Sequence, residues 1–262
     1  MNPVQKLHHL LISTRLTRSL QRRVVLGLKR RLGAPDAYDD LAALIADDAV
    51  TTVIDIGAHV GRTANRLRER TDKPILALEA TLGTYEKLVK NVADLPSVTP
   101  YHVAITDRDG TIRLQINANE QTNSVLANAD GNRDFLADAT RTIGLQSVPA
   151  STLDTFVDEV GIVGEMVVKC DVQGAEGLVL AGGERTFPDR VAAFYAEAQI
   201  SSMYDGQTDF FGLHRRMVEQ YDFALANIYP VYRSASGRAL QTDALWIANR
   251  VLRKMECESK ND

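Results

Sequence analysis

Thr51-Thr52-Val53-Ile54-Asp55-Ile56-Gly57-Ala58-His59-Val60-Gly61 reads as a strand, a turn and the start of a helix. Val53 to Ile56 is a short run of mostly β-branched apolar residues, the composition of a buried strand. It carries one acid, Asp55, near its end. Gly57 and Gly61 then turn the chain into a helical segment over 62–70. Strand, glycine turn and helix form the repeating unit of a doubly wound α/β sheet. Glycines in that turn let backbone approach a ligand, and the helix start offers free N–H groups. The spacing is Gly-x-x-x-Gly, not the Gly-x-Gly-x-x-Gly of pyrophosphate binders. An acid ahead of such a turn suits a ligand that carries positive charge and no phosphate.

Working outward, the pattern alternates. A helix over 38–46 leads into the first strand. Residues 74–79 read as a second strand, 81–91 as a helix that Thr81 begins, and 98–105 as a third strand. Strands alternating with helices imply parallel pairing and right-handed crossovers. Asp109-Gly110 reads as a hairpin turn into the alternating strand 111–116. Residues 117–145 are rich in Asn, Asp, Ala and Thr and read as an insertion over the pocket. A short strand at 146–150 and a helix at 153–160, capped by Ser151 or Thr152, come next. Residues 166–171 form the second central strand, and 173–181 a helix stopped by Gly182-Gly183. A strand over 191–197, a helix over 207–221, and an antiparallel pair at 223–232 and 244–248 close the domain. The expected fold is a doubly wound, mostly parallel α/β sheet in one domain over 36–252.

Composition sets the bounds. With 262 residues, 45% hydrophobic and 24% charged, the chain is long enough for a full core and ordinary for a globular protein. A net charge of −4 gives no reason to expect nucleic acid. The charge is uneven: of 30 Lys and Arg, eight fall within residues 1–35, which hold no acid, so 22 remain against 34 acids. Residues 1–35 read as a basic helical extension with two leucine-rich stripes, ended by Gly33-Ala34-Pro35. Its basic face is either solvated or a surface for anionic lipid or another protein. Residues 253–262 read as a polar tail. No apolar run reaches the length of a membrane span, and the first residues lack the pattern of a secretory signal. Cys170 and Cys257 do not make a disulfide framework, so a cytoplasmic location, with peripheral membrane contact as an option, is the expectation.

Two further groups of residues sharpen the chemistry. Glu79 closes the second strand 24 residues after Asp55, where doubly wound folds place an acid that accepts both hydroxyls of a ribose. S-adenosylmethionine, with an ammonium, a sulfonium, a ribose and an adenine, fits both acids. The second group is Lys169-Cys170-Asp171-Val172-Gln173-Gly174-Ala175-Glu176. Lys169 and Asp171 are two apart and share one face of a strand. Glu176 follows one turn into the next helix. The alternative is a structural ion-pair network. Glu197, at the end of the next strand, would face the same crevice as Asp171; a shared cation is conceivable, but no His joins them, and no metal is expected. His59 lies in the glycine turn, and His214 on a late helix that could line the mouth.

These stretches, with Leu88-Val-Lys-Asn91, Val103-Ala104, Asp109-Gly110 and Ser151-Thr-Leu-Asp154, resemble the FkbM-like family of S-adenosylmethionine-dependent methyltransferases. The resemblance runs from Val53 to Asn249 and is most specific over 169–176. The family usually has Asn at the position of His59 and an acid at that of Gln173. The resemblance implies a Rossmann-like, seven-stranded mixed sheet with an antiparallel last pair, and transfer of a methyl group to a hydroxyl of a sugar, glycan or secondary metabolite. It adds Ala58, Ala80 and Ala104 to the expected cofactor contacts Asp55, Gly57, His59, Gly61, Glu79, Asp171 and Glu176. Asp171, Lys169, Glu197 and His214 are the catalytic candidates, Lys169 as orienter or as a base depressed by burial. A nicotinamide-linked oxidoreductase, and a non-catalytic binding protein docking through its basic helix, are the rival readings.

Overall fold

A computed structural model describes residues 36–129, 138 and 140–258. The basic extension at 1–35, with its expected lipid or protein contact, lies outside the described residues, as does the end of the polar tail. The first described helix, α1 (Ala37–Ile45), starts where the Asp36 carboxylate accepts the Tyr38 N–H at 3.0 Å. It is followed by β1 (Val50–Ile56), α2 (Arg62–Arg68), β2 (Ile75–Glu79), α3 (Leu82–Val92) and β3 (Val98–His102). The main sheet is completed by β7 (Glu165–Cys170), β8 (Val191–Gln199), β9 (Phe223–Ile228), β10 (Tyr232–Arg233) and β11 (Ala239–Ala248). Its order is β10-β11-β8-β7-β1-β2-β3, with β9 also on β11. Because β8 takes one side of β11, β9 and β10 lie end to end along the other. Eight strands thus fill the seven expected positions, and Pro230, which has no N–H for a ladder, falls at the break.

β1, β2, β3, β7 and β8 run parallel, and β11 runs antiparallel to β8, β9 and β10. The fold is α/β and Rossmann-like. β1 and β7 are buried almost throughout, as strands covered by helices on both faces must be. α1 packs against β1, β7 and β8, and α3 against β2 and β3. Between β7 and α7 (Phe210–Arg215), α5 (Glu176–Ala181) and α6 (Thr186–Arg190) connect to and cover β8. The chain leaves β1 toward β2 and later returns to the other side of β1 with β7. The strand order therefore reverses at the β1/β7 boundary, where open α/β sheets leave a crevice beyond the strand ends.

The structure corrects several local expectations. The third strand splits after His102, and Ala104–Ile105 becomes β4 of a second sheet. That sheet has the order β4-β6-β5, with β5 (Gly110–Asn117) and β6 (Thr142–Ser151) antiparallel. Asp109-Gly110 is therefore no hairpin turn between paired strands, since β6 lies between β4 and β5. The Asp109 carboxylate instead accepts the Thr152 N–H at 2.7 Å and the Thr155 hydroxyl at 2.9 Å, tying the turn to α4 (Leu153–Val160). Thr152 is the residue that caps α4. The expected helix over 207–221 is α7 followed by a π-helical turn, Arg216–Gln220. The tail expected from Arg253 is helical through Glu258, within α8 (Asn249–Glu258). No helix among the described residues is long and apolar enough to cross a membrane.

Candidate active site

A cavity of about 640 Å³ opens beyond the carboxyl ends of β1, β2 and β7, a volume in the range of small-molecule sites. Its wall at β2 is built by the glycine turn. Gly57 has φ 76°, and a Cβ there would come within 1.9 Å of the Asp171 carbonyl oxygen. Only glycine lets the two strand ends close up so tightly. The N–H groups of Gly57 and Ala58 both go to the Leu78 carbonyl, at 3.0 and 2.8 Å. The His59 N–H goes to Glu79 Oε2 at 3.0 Å, and the Gly61 N–H to the Ala58 carbonyl at 2.9 Å. β2 and the turn itself take these four N–H groups, and no side chain caps the start of α2, where the free N–H groups were expected. Glu79 is nearly buried, and its Oε1 accepts the Thr81 N–H at 2.8 Å. Burial raises its pKa, and the Thr81 and His59 N–H groups offset part of that rise.

The floor is an ion pair. Register places Asp55 of β1 beside Lys169 of β7, and Lys169 beside Tyr195 of β8, in one polar row across the sheet. Asp55 is 0% exposed; its Oδ1 lies 3.1 Å from Lys169 Nζ, and its Oδ2 has no hydrogen-bond partner among the described residues. Lys169 Nζ also donates to the Gly57 carbonyl at 3.1 Å and stands 3.8 Å from Asp171 Oδ2. Burial alone would lower the Lys169 pKa, but Asp55 and Asp171 outweigh it and hold the ammonium above its ordinary range. Lys169 is thus no proton acceptor, and the depressed-base reading is corrected. Burial likewise raises the Asp55 carboxyl, with Lys169 pulling against it.

At the far end stand Asp171 and Glu197. The Gln173 amide bridges them, with Nε2 at 2.8 Å from Asp171 Oδ1 and 3.1 Å from Glu197 Oε2. Glu197 also accepts from Gln199 Nε2 at 2.9 Å and Gln241 Nε2 at 2.6 Å. Burial, with the charges of Asp171, Glu176 and Asp243, lifts its pKa well above the ordinary carboxylate range. A carboxylate shifted in that direction takes up a proton more readily than an exposed one.

Gly57, Ala58, His59, Glu79, Ala80, Ala104, Asp171, Lys169 and Glu197 all line the cavity. Asp55, Gly61, Glu176 and His214 do not. Asp55 lies one layer below, behind Lys169. Gly61 packs against α3, where a Cβ would meet Leu88 and Val92 at 3.0 Å. Glu176 is 0% exposed, and its Oε1 accepts the Val172 N–H at 2.9 Å, bracing the turn after β7. His214 points elsewhere: its Nδ1 accepts the Trp246 indole N–H at 3.3 Å, and its ring stacks on Phe210. From the insertion expected over the pocket, Asn119 to Val125 supply lining residues, and Met203 from the segment after β8 adds another. Sequence reading missed Tyr38, Arg62, Tyr232 and Gln241. For Gln241 a signal existed: polar Gln241 and Asp243 alternate on β11, which begins five residues earlier than expected.

The profile of the methyltransferase FkbM domain matches residues 55–225, which supply most of the cavity lining. The chain belongs to that family. It is 26% identical over 198 residues to the 2-O-methyltransferase NoeI of Sinorhizobium fredii (strain NBRC 101917 / NGR234), covering 72% of this chain and 81% of that protein. Among solved structures, an rRNA methylase from Streptococcus thermophilus superposes with a TM-score of 0.46 at 10% identity, covering 81% of this chain and 93% of that one. Aeropyrum pernix fibrillarin, in complex with natively bound S-adenosyl-L-methionine, gives 0.43 at 10% identity, with 80% and 73% covered. As a member of the FkbM family the chain is a methyltransferase, and its cavity is the candidate site of transfer.

Proposed function

We propose that the chain transfers the methyl group of S-adenosylmethionine to a hydroxyl of a sugar, glycan or secondary metabolite. The observation that supports this best is the meeting, in one cavity, of Glu79 at the tip of β2 with Asp171 and Glu197 from β7 and β8. Each Glu79 oxygen accepts one N–H and keeps a lone pair for a ribose hydroxyl. Leu78, Val103, Ala104 and Ile105 offer apolar surface beside it for a base. Asp171 is the contact for an amino group. The lining holds four carboxylates (Glu79, Glu120, Asp171, Glu197) against two fixed cations (Arg62, Lys169), a balance that suits a cationic ligand.

S-adenosylmethionine would supply a methyl group already activated on sulfonium, so the protein's work is alignment and exclusion of water. Glu197 receives the proton of the attacking hydroxyl, and Lys169 keeps Asp171 oriented by charge. Gln241, which donates to Glu197, and Tyr232, its register partner on β10, give the amide and aromatic surface on which a polyol can be held. The oxygen acceptor finds support in the name of the relative, a 2-O-methyltransferase. The acceptor is a small molecule or glycan rather than nucleic acid, and a reducing, cytoplasmic setting suits the free Cys170 and Cys257.

Calorimetric titration of the full chain with S-adenosylmethionine, S-adenosylhomocysteine and NAD tests the cofactor. The first two should bind and NAD should not. Glu79→Gln should weaken binding by about 10- to 100-fold, the worth of hydrogen bonds to a charged acceptor. No heat from either nucleoside would overturn the reading. Methyl transfer screened over sugars, glycans and hydroxylated metabolites then identifies the acceptor.

A further inference from the structure

Gln173 occupies a backbone conformation that its residue type does not favour, with φ 56°. Gly174 follows at φ 91°, and a Cβ there would come within 2.6 Å of the Tyr204 ring. This left-handed pair turns the Gln173 side chain back between two acids. Its Nε2 reaches both Asp171 and Glu197, while its Oε1 accepts the Tyr204 hydroxyl at 3.0 Å. Tyr204 is buried, and burial pushes its phenol pKa up, so it remains a donor. The two carboxylates, which accept only, together with the phenol donating to Oε1, set which end of the amide faces the acids. Turned around, Oε1 would confront two carboxylates.

We propose that Gln173 is a positioning residue whose single amide couples Asp171 to Glu197 and keeps Glu197 ionisable at the acceptor end of the cavity. All three amides around Glu197 (Gln173, Gln199, Gln241) present N–H groups, which favour the ionised form. The charged groups facing it act mainly the other way: Asp171 after β7, Glu176 on α5 and Asp243 on β11 oppose ionisation, and Lys169 on β7 favours it. Tyr204, from the segment after β8, reaches Glu197 through Gln173. A base for a hydroxyl needs this balance, since without the donors it would stay protonated and with fewer acids it would be too weak. An acid at 173, the usual residue in the family the sequence resembles, would bring three carboxylates together and force at least one to hold a proton. The catalytic consequence rests on the methyl-transfer reading above, but the coupling itself does not.

The test is carboxyl ¹³C NMR of the full chain labelled at the glutamate δ-carbon, with the Glu197 signal assigned by its loss in Glu197→Gln. In the wild type the Glu197 midpoint should lie above the ordinary carboxylate range. In Gln173→Met it should rise by about one to two units, the value of a lost hydrogen bond to a charge. In Gln173→Glu, which keeps an acceptor for Tyr204, it should also rise. Circular dichroism checks folding, and if the methionine variant does not fold, the glutamate variant decides. A midpoint that moves by less than about 0.3 unit in the folded variants, or an ordinary wild-type midpoint, overturns the proposal. Failure of nucleoside binding in calorimetry would overturn the proposed function and leave this titration unaffected, so the two can fail separately.

Discussion

Replacing Lys169 by Met removes the partner of a carboxylate that is 0% exposed. The methionine fills much the same volume, so the change is chiefly one of charge. Removing one member of a buried pair costs about 3–5 kcal/mol, because the remaining charge keeps its desolvation penalty without compensation. Asp55 can escape part of this by taking up a proton, and a shift of up to about 5 units caps the penalty near 7 kcal/mol. Loss of the bond to the Gly57 carbonyl adds to the cost. At about pH 8 the variant should therefore be less stable by about 3–5 kcal/mol in urea unfolding followed by circular dichroism. The pH dependence has a definite sign. Asp55 already has a raised pKa in the folded protein, so its contribution is fully present below its unfolded pKa and is lost as pH rises through the folded value. Without Lys169 that folded value moves higher. The gap between wild type and variant should then widen with pH, by at most about 1.4 kcal/mol per unit, and narrow toward about pH 4. Asp55→Asn combined with Lys169→Met should recover most of the loss, since neither charge is then stranded. A Lys169→Met protein within about 1 kcal/mol of wild type at about pH 8, or a gap that does not change with pH, would refute the reasoning.

Gly57→Ala forces a Cβ to within 1.9 Å of the Asp171 carbonyl at φ 76°, so it should cost more than about 2 kcal/mol in urea unfolding and weaken nucleoside binding together with stability. An unchanged unfolding midpoint would show that the two strand tips separate freely. Glu176, with a pKa of about 7 raised by burial, gives stability that is fully present below its ordinary value of 4.5 and is lost as pH rises through about 7. Glu176→Gln should therefore lose less stability than the wild type between about pH 5 and pH 8, the difference approaching about 3 kcal/mol; parallel pH profiles would place the charge elsewhere.

What the sequence made legible was local. The glycine turn, Glu79 and the run from Lys169 to Glu176 each depend on residues within a few positions, and all fall around one cavity. What it hid depends on register and on partners far along the chain. Asp55 seemed aimed at a ligand because it precedes the turn. Only the pairing of β1 with β7 sets it beside Lys169 and below the floor. The second sheet was hidden for the same reason, since β4 pairs with a strand that arrives after the whole of β5 and the long insertion. His214 was placed by helical position alone, which does not say which face meets the sheet; Trp246 and Phe210 settle that. Gln173 stood inside the most specific motif, but its partner Tyr204 is 31 residues away.

The same register explains why the cavity should prefer a cation. Lys169 lies between two carboxylates, 3.1 Å from Asp55 and 3.8 Å from Asp171. Coulomb attraction falls with distance and with solvent screening. Asp55 is the nearer and the drier of the two, so it takes the larger share of the ammonium's field. Asp171, with its side chain 39% exposed, is left only partly compensated at the cavity wall. The charge that a ligand meets above this floor is thus carboxylate, from Asp171 and Glu197, with Glu79 across the opening. The N–H groups of Gly57, Ala58, His59 and Gly61, which could have offset it, are already given to Leu78, Glu79 and Ala58. A pyrophosphate would meet Glu79, Asp171 and Glu197 with only Arg62 and the already paired Lys169 to offset them, whereas an ammonium or a sulfonium would replace the missing share of Lys169's charge.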